Sequence, residues 1–340
     1  MKALYISAIT ILSIGVLYAG YFAYQHWGFF DYHYTLLTSE DVTNYQNELV
    51  RLAASDPTLA FTRFNEVLED DPLSYNSCHG LAHQMGHAAY DAFGFGEAMK
   101  AQNAVCGGGY IHGVLEAHFG LLQEEDLLDS VSSLCSEGSN TCYHGLGHGL
   151  MIALDLDVSS SLGYCDLLPG VGARNCYDGV WMHIFDLEES GVSKESDLYF
   201  TAEETQGALA LCAGHDDIYK SSCYFYLPRI LAHDQQRSFQ ESVDLCALVE
   251  DSFAISCAAG SGHSNMKYHI ANPNASLEAC QAYKADELMN ACKEGGLLYY
   301  LYSLETSDAE TFNVEGVCDS LLSQQDRELC DKVAVYRSGL

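Results

Sequence analysis

Basic residues are scarce in this chain: Lys plus Arg number 15 against 47 Asp plus Glu, a formal charge of −32 over 340 residues. A surface so acidic repels nucleic-acid phosphates and anionic lipid head groups, which sets nucleic-acid binding aside. Proline is rarer still, with five residues, so long helices meet few interruptions. Several motif classes are missing as well. There is no phosphate loop, dinucleotide glycine fingerprint, Ser-His-Asp phrase, Cys-x-x-Cys-His haem attachment, His-Glu-x-x-His helix or EF-hand loop. Nucleotide-dependent, serine-hydrolase, multihaem and familiar zinc-protease readings therefore have no support.

What is present begins with an apolar run. Apolar residues make up 48% of the chain, enough to bury a core. Residues Ala3 to Tyr24 carry no charge, and as a helix they are long enough to span about 30 Å of hydrocarbon. Lys2 precedes the run and acids dominate the chain beyond it, so the positive-inside rule leaves Met1 and Lys2 in the cytoplasm and everything after Trp27 outside. Around Ala19, Gly20 and Ala23 the neighbours Leu17, Tyr18 and Tyr21 are too large for a signal-cleavage site. The expectation is an uncleaved transmembrane anchor in 1–27, meeting the membrane through 3–24, and an extracellular or periplasmic body.

All fourteen cysteines lie beyond that run. An even set in an oxidising compartment reads as disulfides. Cys165/Cys176, Cys212/Cys223 and Cys246/Cys257 share one spacing. Cys280/Cys292 and Cys318/Cys330 are one residue wider, Cys135/Cys142 is shorter, and Cys78 and Cys106 are left for each other. The second cysteine of a pair opens a recurring phrase, as in Cys106-Gly-Gly-Gly109, Cys142-Tyr-His-Gly145, Cys176-Tyr-Asp-Gly179, Cys257-Ala-Ala-Gly260 and Cys292-Lys-Glu-Gly295. These phrases recur every 34 to 38 residues, with 47 between Cys176 and Cys223. A period of that size signals helix-pair repeats. The stretches before the first cysteines, such as Glu124 to Leu134, Thr205 to Leu211 and Ser238 to Leu245, repeat apolar residues at helical spacing.

The expected fold is therefore all-α: a disulfide-tied helical-hairpin repeat array, either an α-solenoid or a closed α-toroid, after one N-terminal transmembrane helix. Each bridge would tie a first helix to the start of a second and contribute on the order of 3 kcal/mol by closing a short loop. Glycine inside the second helix costs about 1 kcal/mol against alanine. Its recurrence predicts close approach of neighbouring helices. Residues 28–75 read as a lead-in segment with one amphipathic helix, Leu59 to Leu68, opened by Asp56 and Pro57. Residues 76–340 read as the Cys/His-rich repeat domain. The architecture resembles helix-pair solenoids of the tetratricopeptide type, without that family's signature residues.

Six of fourteen histidines fall in three phrases at the starts of successive second helices: His79, His83 and His87; His112 with Glu116; and His144 with His148. Residues four apart share a helix face. The cysteine register sets His83, His112 and His148 in one row, with His87 and Glu116 one turn further and His79 and His144 one turn back. An isolated histidine in a helix is ordinarily a hydrogen-bonded core or surface residue. Three successive helices with ligand-type pairs in register, confined to 78–148, point instead to a metal site. The positions six after the later cysteines hold Met182, Arg229, His263 and Leu298, with Arg229 and His263 expected as separate features of the same inner surface, and His183 is one beyond its slot yet able to reach the site. His118, His215, His233 and His269 lack ligand spacing.

With cysteines oxidised, a nitrogen-rich site with one carboxylate suits a divalent metal, zinc first and copper as the alternative. Zinc would give hydrolytic chemistry, with Glu116 the candidate catalytic residue as base, ligand or bridge. A six-histidine copper site is similar in ligand count to hemocyanin and tyrosinase, and would give oxidase-like chemistry. A third reading is a non-enzymatic metal-binding or interaction scaffold whose extracellular ligand is unspecified.

Overall fold

The computed structural model describes residues 39–70, 78–103, 105–135, 139–186, 198, 200–201, 203–232, 237–303 and 316–338. The anchor expected in 1–27 lies outside the described residues. Among the described residues no helix is long and apolar enough to cross a membrane. The chain divides into two units, Met1–Glu48 and Leu49–Leu340, and the second holds every cysteine.

Helix is the only regular structure among the described residues. The helices are α1 (Ser39–Ala53), α2 (Pro57–Asp70), α3 (Cys78–Phe93), α4 (Phe95–Lys100), α5 (Gly109–Phe119) and α6 (Glu124–Leu134). They continue with α7 (Asn140–Ala153), α8 (Val158–Cys165), α9 (Gly170–Phe185), α10 (Thr205–Ala213), α11 (Asp217–Tyr226) and α12 (Arg229–Ala232). The last are α13 (Phe239–Cys246), α14 (Ala254–Tyr268), α15 (Pro273–Ala279), α16 (Asp286–Ser303) and α17 (Gln324–Ser338).

Local sequence accounts for the ends of these helices. The Asp56 carboxylate accepts from Leu59 N at 2.9 Å, capping α2 with Pro57 in its first turn. Ser238 and Glu241 form a reciprocal capping box on α13. Helix α1 was not anticipated from the lead-in segment. Its apolar residues Val42, Tyr45, Leu49 and Ala53 recur at helical spacing, and Leu49 and Ala53 are buried, so the periodic signal was there to be read.

All seven anticipated cystine bridges are present, including Cys78–Cys106, with Cα separations of 5.5 Å at Cys246–Cys257 and 5.8 Å at Cys318–Cys330. Each of α8, α10 and α13 carries in its last turn a cysteine bonded to one in the next long helix. The longer helices α3, α5, α7, α9, α11, α14 and α16 pack in chain order, each on the next. The 3-10 turn Val105–Gly108, near the start of this series, also touches α16 at its end. These helices together line a cavity of about 1000 Å³.

The recurring glycines explain how backbones come so close. A Cβ on Gly179 would strike the His144 carbonyl of the preceding long helix. On Gly260 it would strike Phe225, and on Gly295 Ala259. The core between the helices is built from residues such as Leu115, Phe119, Leu146, Leu150, Val180 and Trp181. A second cluster, with Met266, Leu297, Leu301 and Leu321, packs the C-terminal end.

Candidate metal centre

Helical spacing and the glycine contacts bring the three histidine phrases together. In α3, α5 and α7, His83, His112 and His148 form a mutual triangle, with ring centroids 5.3 Å, 5.4 Å and 5.5 Å apart. His79 Nε2 lies 3.0 Å from His83 Nε2 and 3.2 Å from His112 Nδ1. One turn of α7 brings His144 Nε2 within 3.2 Å of His148 Nε2. His148 Nδ1 in turn lies 3.3 Å from His183 Nδ1 in α9.

Three sets of ligand-type atoms gather within 4.8 Å: His79, His83 and His112; His112, His144 and His148; and Glu116, His148 and His183. His87 stands apart. It reaches Glu116 Oε2 at 2.8 Å, but its side chain is 45% exposed, and it joins none of the three sets.

Hydrogen bonds behind the rings decide which nitrogens face one another. His79 Nδ1 is 2.5 Å from the Cys106 carbonyl, which can only accept, so Nδ1 carries the proton and Nε2 a lone pair. His83 Nδ1 is 3.0 Å from Glu116 Oε2. An ionised carboxylate also only accepts, so His83 Nε2 is likewise bare. Two lone pairs thus meet at 3.0 Å in a buried site. A proton or a metal cation between them would relieve the repulsion. Burial opposes the proton: it holds His79 well below the ordinary histidine value, and the charge of His83 adds to it.

The other rings share this environment. Burial first, then neighbouring histidines, keeps His144 and His148 well below the ordinary value. His112 is lowered by burial, then by His79 and His83, against opposing effects of Glu116 and the Thr141 backbone. Burial brings His183 down to about 4. Burial by itself would raise the Glu116 carboxyl, but contact with His83 and hydrogen bonds from His83 and His87 hold it below the usual carboxylate range. Glu116 Oε1 is buried without a hydrogen-bond partner and lies 3.5 Å from His148 Nδ1.

His79, His112 and His144 also face the central cavity, together with Met182, Arg229 and His263. Met182 Sδ is 3.2 Å from His144 Nε2. In the same cavity wall, Arg229 and Lys267 both donate to the buried Asp186, the lysine at 2.9 Å. Their charges hold the Asp186 carboxyl below its usual range despite burial. Arg229 Nη2 lies 3.4 Å from His263 Nδ1.

Comparison with protein-family models, curated proteins and solved structures finds no match to this chain. Its chemistry is therefore read from its own residues.

Sequence reasoning leaves Met182 and Asp186 out of the site and keeps His183 only as a neighbour able to reach it from one residue past its slot. His183 does reach it, being four residues after Gly179, on the face pressed against α7. The equivalent positions in α5 and α7 hold Gly113 and Gly149, so a histidine there was the available signal. Met182 carries no ligand spacing of its own, and Asp186 lies past the end of α9.

The remaining histidines have ordinary roles. His118 stacks on Phe95 with centroids 4.3 Å apart. His215 Nδ1 is 2.8 Å from the Leu211 carbonyl, and its ring packs against Trp181. His269 is exposed at the end of α14, and His233 lies outside the described residues.

Proposed function

We propose that this chain is a membrane-anchored, extracytoplasmic metal-binding protein: a disulfide-tied helical-hairpin array, closed as a toroid, with a zinc-type hydrolytic centre on its inner face. The observation that carries the metal reading is the pair of bare Nε2 lone pairs of His79 and His83, 3.0 Å apart, with His112 Nδ1 beside them. Three imidazoles whose ring nitrogens gather within 4.8 Å form a zinc ligand set when each offers a lone pair, and an open fourth position would hold water with a pKa near 7. The cavity beside these rings gives a substrate room to reach that position, and Arg229 and Lys267 supply charged groups in its wall.

Glu116 fits an orienting role better than that of a free base. Its Oε2 accepts from His83 and so sets the tautomer that aims His83 Nε2 at the site. The carboxylate is 5% exposed, buried behind the histidines. A carboxylate hydrogen-bonded to the far nitrogen of a ligand histidine positions the ring and raises its basicity.

Copper is the second reading, and Met182 favours it. A thioether 3.2 Å from His144 Nε2 adds a soft donor that zinc does not require.

The test is elemental analysis of the full chain, purified in detergent without a His-tag or chelating resin. Stoichiometric zinc or copper is expected in the native protein. His112→Ala should lose most of it, and His215→Ala should keep it. Equal metal content in the two variants would overturn the reading.

A further inference from the structure

The three ligand sets are not separate. His112 belongs to the first and the second, and His148 to the second and the third. His112 is 1% exposed. Its Nδ1 lies 3.2 Å from His79 Nε2 and so serves the first set. Its other nitrogen, Nε2, is buried without a hydrogen-bond partner. The Thr141 backbone is near the ring, but no bond to Nε2 meets hydrogen-bond geometry.

A buried ring nitrogen without a partner forfeits its hydration and gains nothing in return. His144 and His148, with their Nε2 atoms 3.2 Å apart, belong with His112 to a second group of ligand-type atoms. His148 also has both nitrogens turned to different sets, but its Nδ1 already meets His183 at 3.3 Å and Glu116 at 3.5 Å. His112 is the ring whose second nitrogen has no such neighbour.

We infer that the centre holds at least two metal ions, joined by the imidazolate of His112 through its two ring nitrogens. One ion takes His79, His83 and His112. The other takes His112, His144 and His148. On binding the second ion the neutral His112 ring gives up its N–H proton to solvent. Two metal–nitrogen bonds form, and no oxidation or reduction occurs. Bonds of about 2.0–2.1 Å on either side of one ring place the ions on the order of 6 Å apart. Glu116 and the imidazolate supply two negative charges to offset those of the cations. The bridge rests on the metal reading above and adds to it the number of ions and the group between them.

The test loads the full-length protein with Cu(II), then measures copper per chain and records the electron paramagnetic resonance signal. The expected result is two ions per chain with a signal well below that of two isolated coppers, because the bridge couples their spins. His144→Ala should bind one copper and show an uncoupled signal. His112→Ala should weaken both ions at least about tenfold, as expected for loss of a ligand shared by both. One ion per wild-type chain would overturn the bridge while leaving the metal reading intact. Two ions with full uncoupled intensity would overturn it as well. No bound copper or zinc at all would overturn the metal reading and the bridge with it. The wild-type measurement stands without any variant, and mapping of the seven bridges verifies that each variant has folded.

Discussion

The properties of a histidine here depend on the atom behind it. The Cys106 carbonyl and the Glu116 carboxylate accept hydrogen bonds from the Nδ1–H groups of His79 and His83 and leave a lone pair on each Nε2. Replacing Glu116 with Gln keeps an acceptor for His83 but removes a charge. Metal affinity should fall about 10–100-fold, as read by competition with a chromophoric chelator, and any metal-dependent hydrolysis should fall even at saturating metal. An unchanged affinity would assign Glu116 a purely packing role. Protonation gives a second prediction. Burial lowers His79, His112, His144, His148 and His183 in the folded chain, so between their unfolded and folded values the unfolded state binds more protons. Stability is then complete above the unfolded value of 6.5 and declines as pH falls toward the folded value, about 4 for His183. For metal-stripped protein the urea midpoint should drop between pH 7.5 and pH 5, where an exposed-histidine protein would hold steady.

At the scale of the helix, glycine sets the spacing. Gly260 in α14 sits against the backbone of Phe225 in α11, and a Cβ would come within 2.9 Å of the Phe225 Cα. Alanine would gain up to about 1 kcal/mol of helix propensity, but overpacking against rigid backbone costs about 1–3 kcal/mol. Gly260→Ala should therefore be destabilising, with a lower urea midpoint. An equal or higher midpoint would mean that the helices can separate at no cost. The same close packing gives the histidines their reach, since Gly145 lets α7 approach His112 within van der Waals contact. Helix α9 shows the limit of counting along the chain. His183 lies off the six-residue register and still meets His148, because the face turned toward a neighbour is set by the glycine contact at Gly179.

For the whole molecule, seven bridges and no free cysteine suit an oxidising compartment. With the anchor proposed for 3–24, a protease added outside intact cells should release the body, and the mature chain should retain residues 3–24. Protection of the body, or an N-terminus near residue 20, would contradict the proposed topology.

Much of the helical framework was legible before any coordinates. The cystine pairs repeat at a fixed spacing, and a bridge across a short turn is local, so sequence distance identifies the partners. The ligand pairs are also local, because residues four apart must share a face. The row of His83, His112 and His148 came from register between equivalent helices. Other features depend on contacts between residues far apart in the chain. The tautomer of His79 depends on Cys106 and that of His83 on Glu116, 27 and 33 residues away. Asp186 meets Lys267 across 81 residues. No periodicity encodes such distances, because they arise only when α3 packs on α5 and the end of α9 meets α14. Sequence by itself determined which residues share a helix face and which cysteines are close enough to bond. Only the tertiary structure decided which ring nitrogens are left bare and what they face, because that depends on the acceptor lying behind each ring.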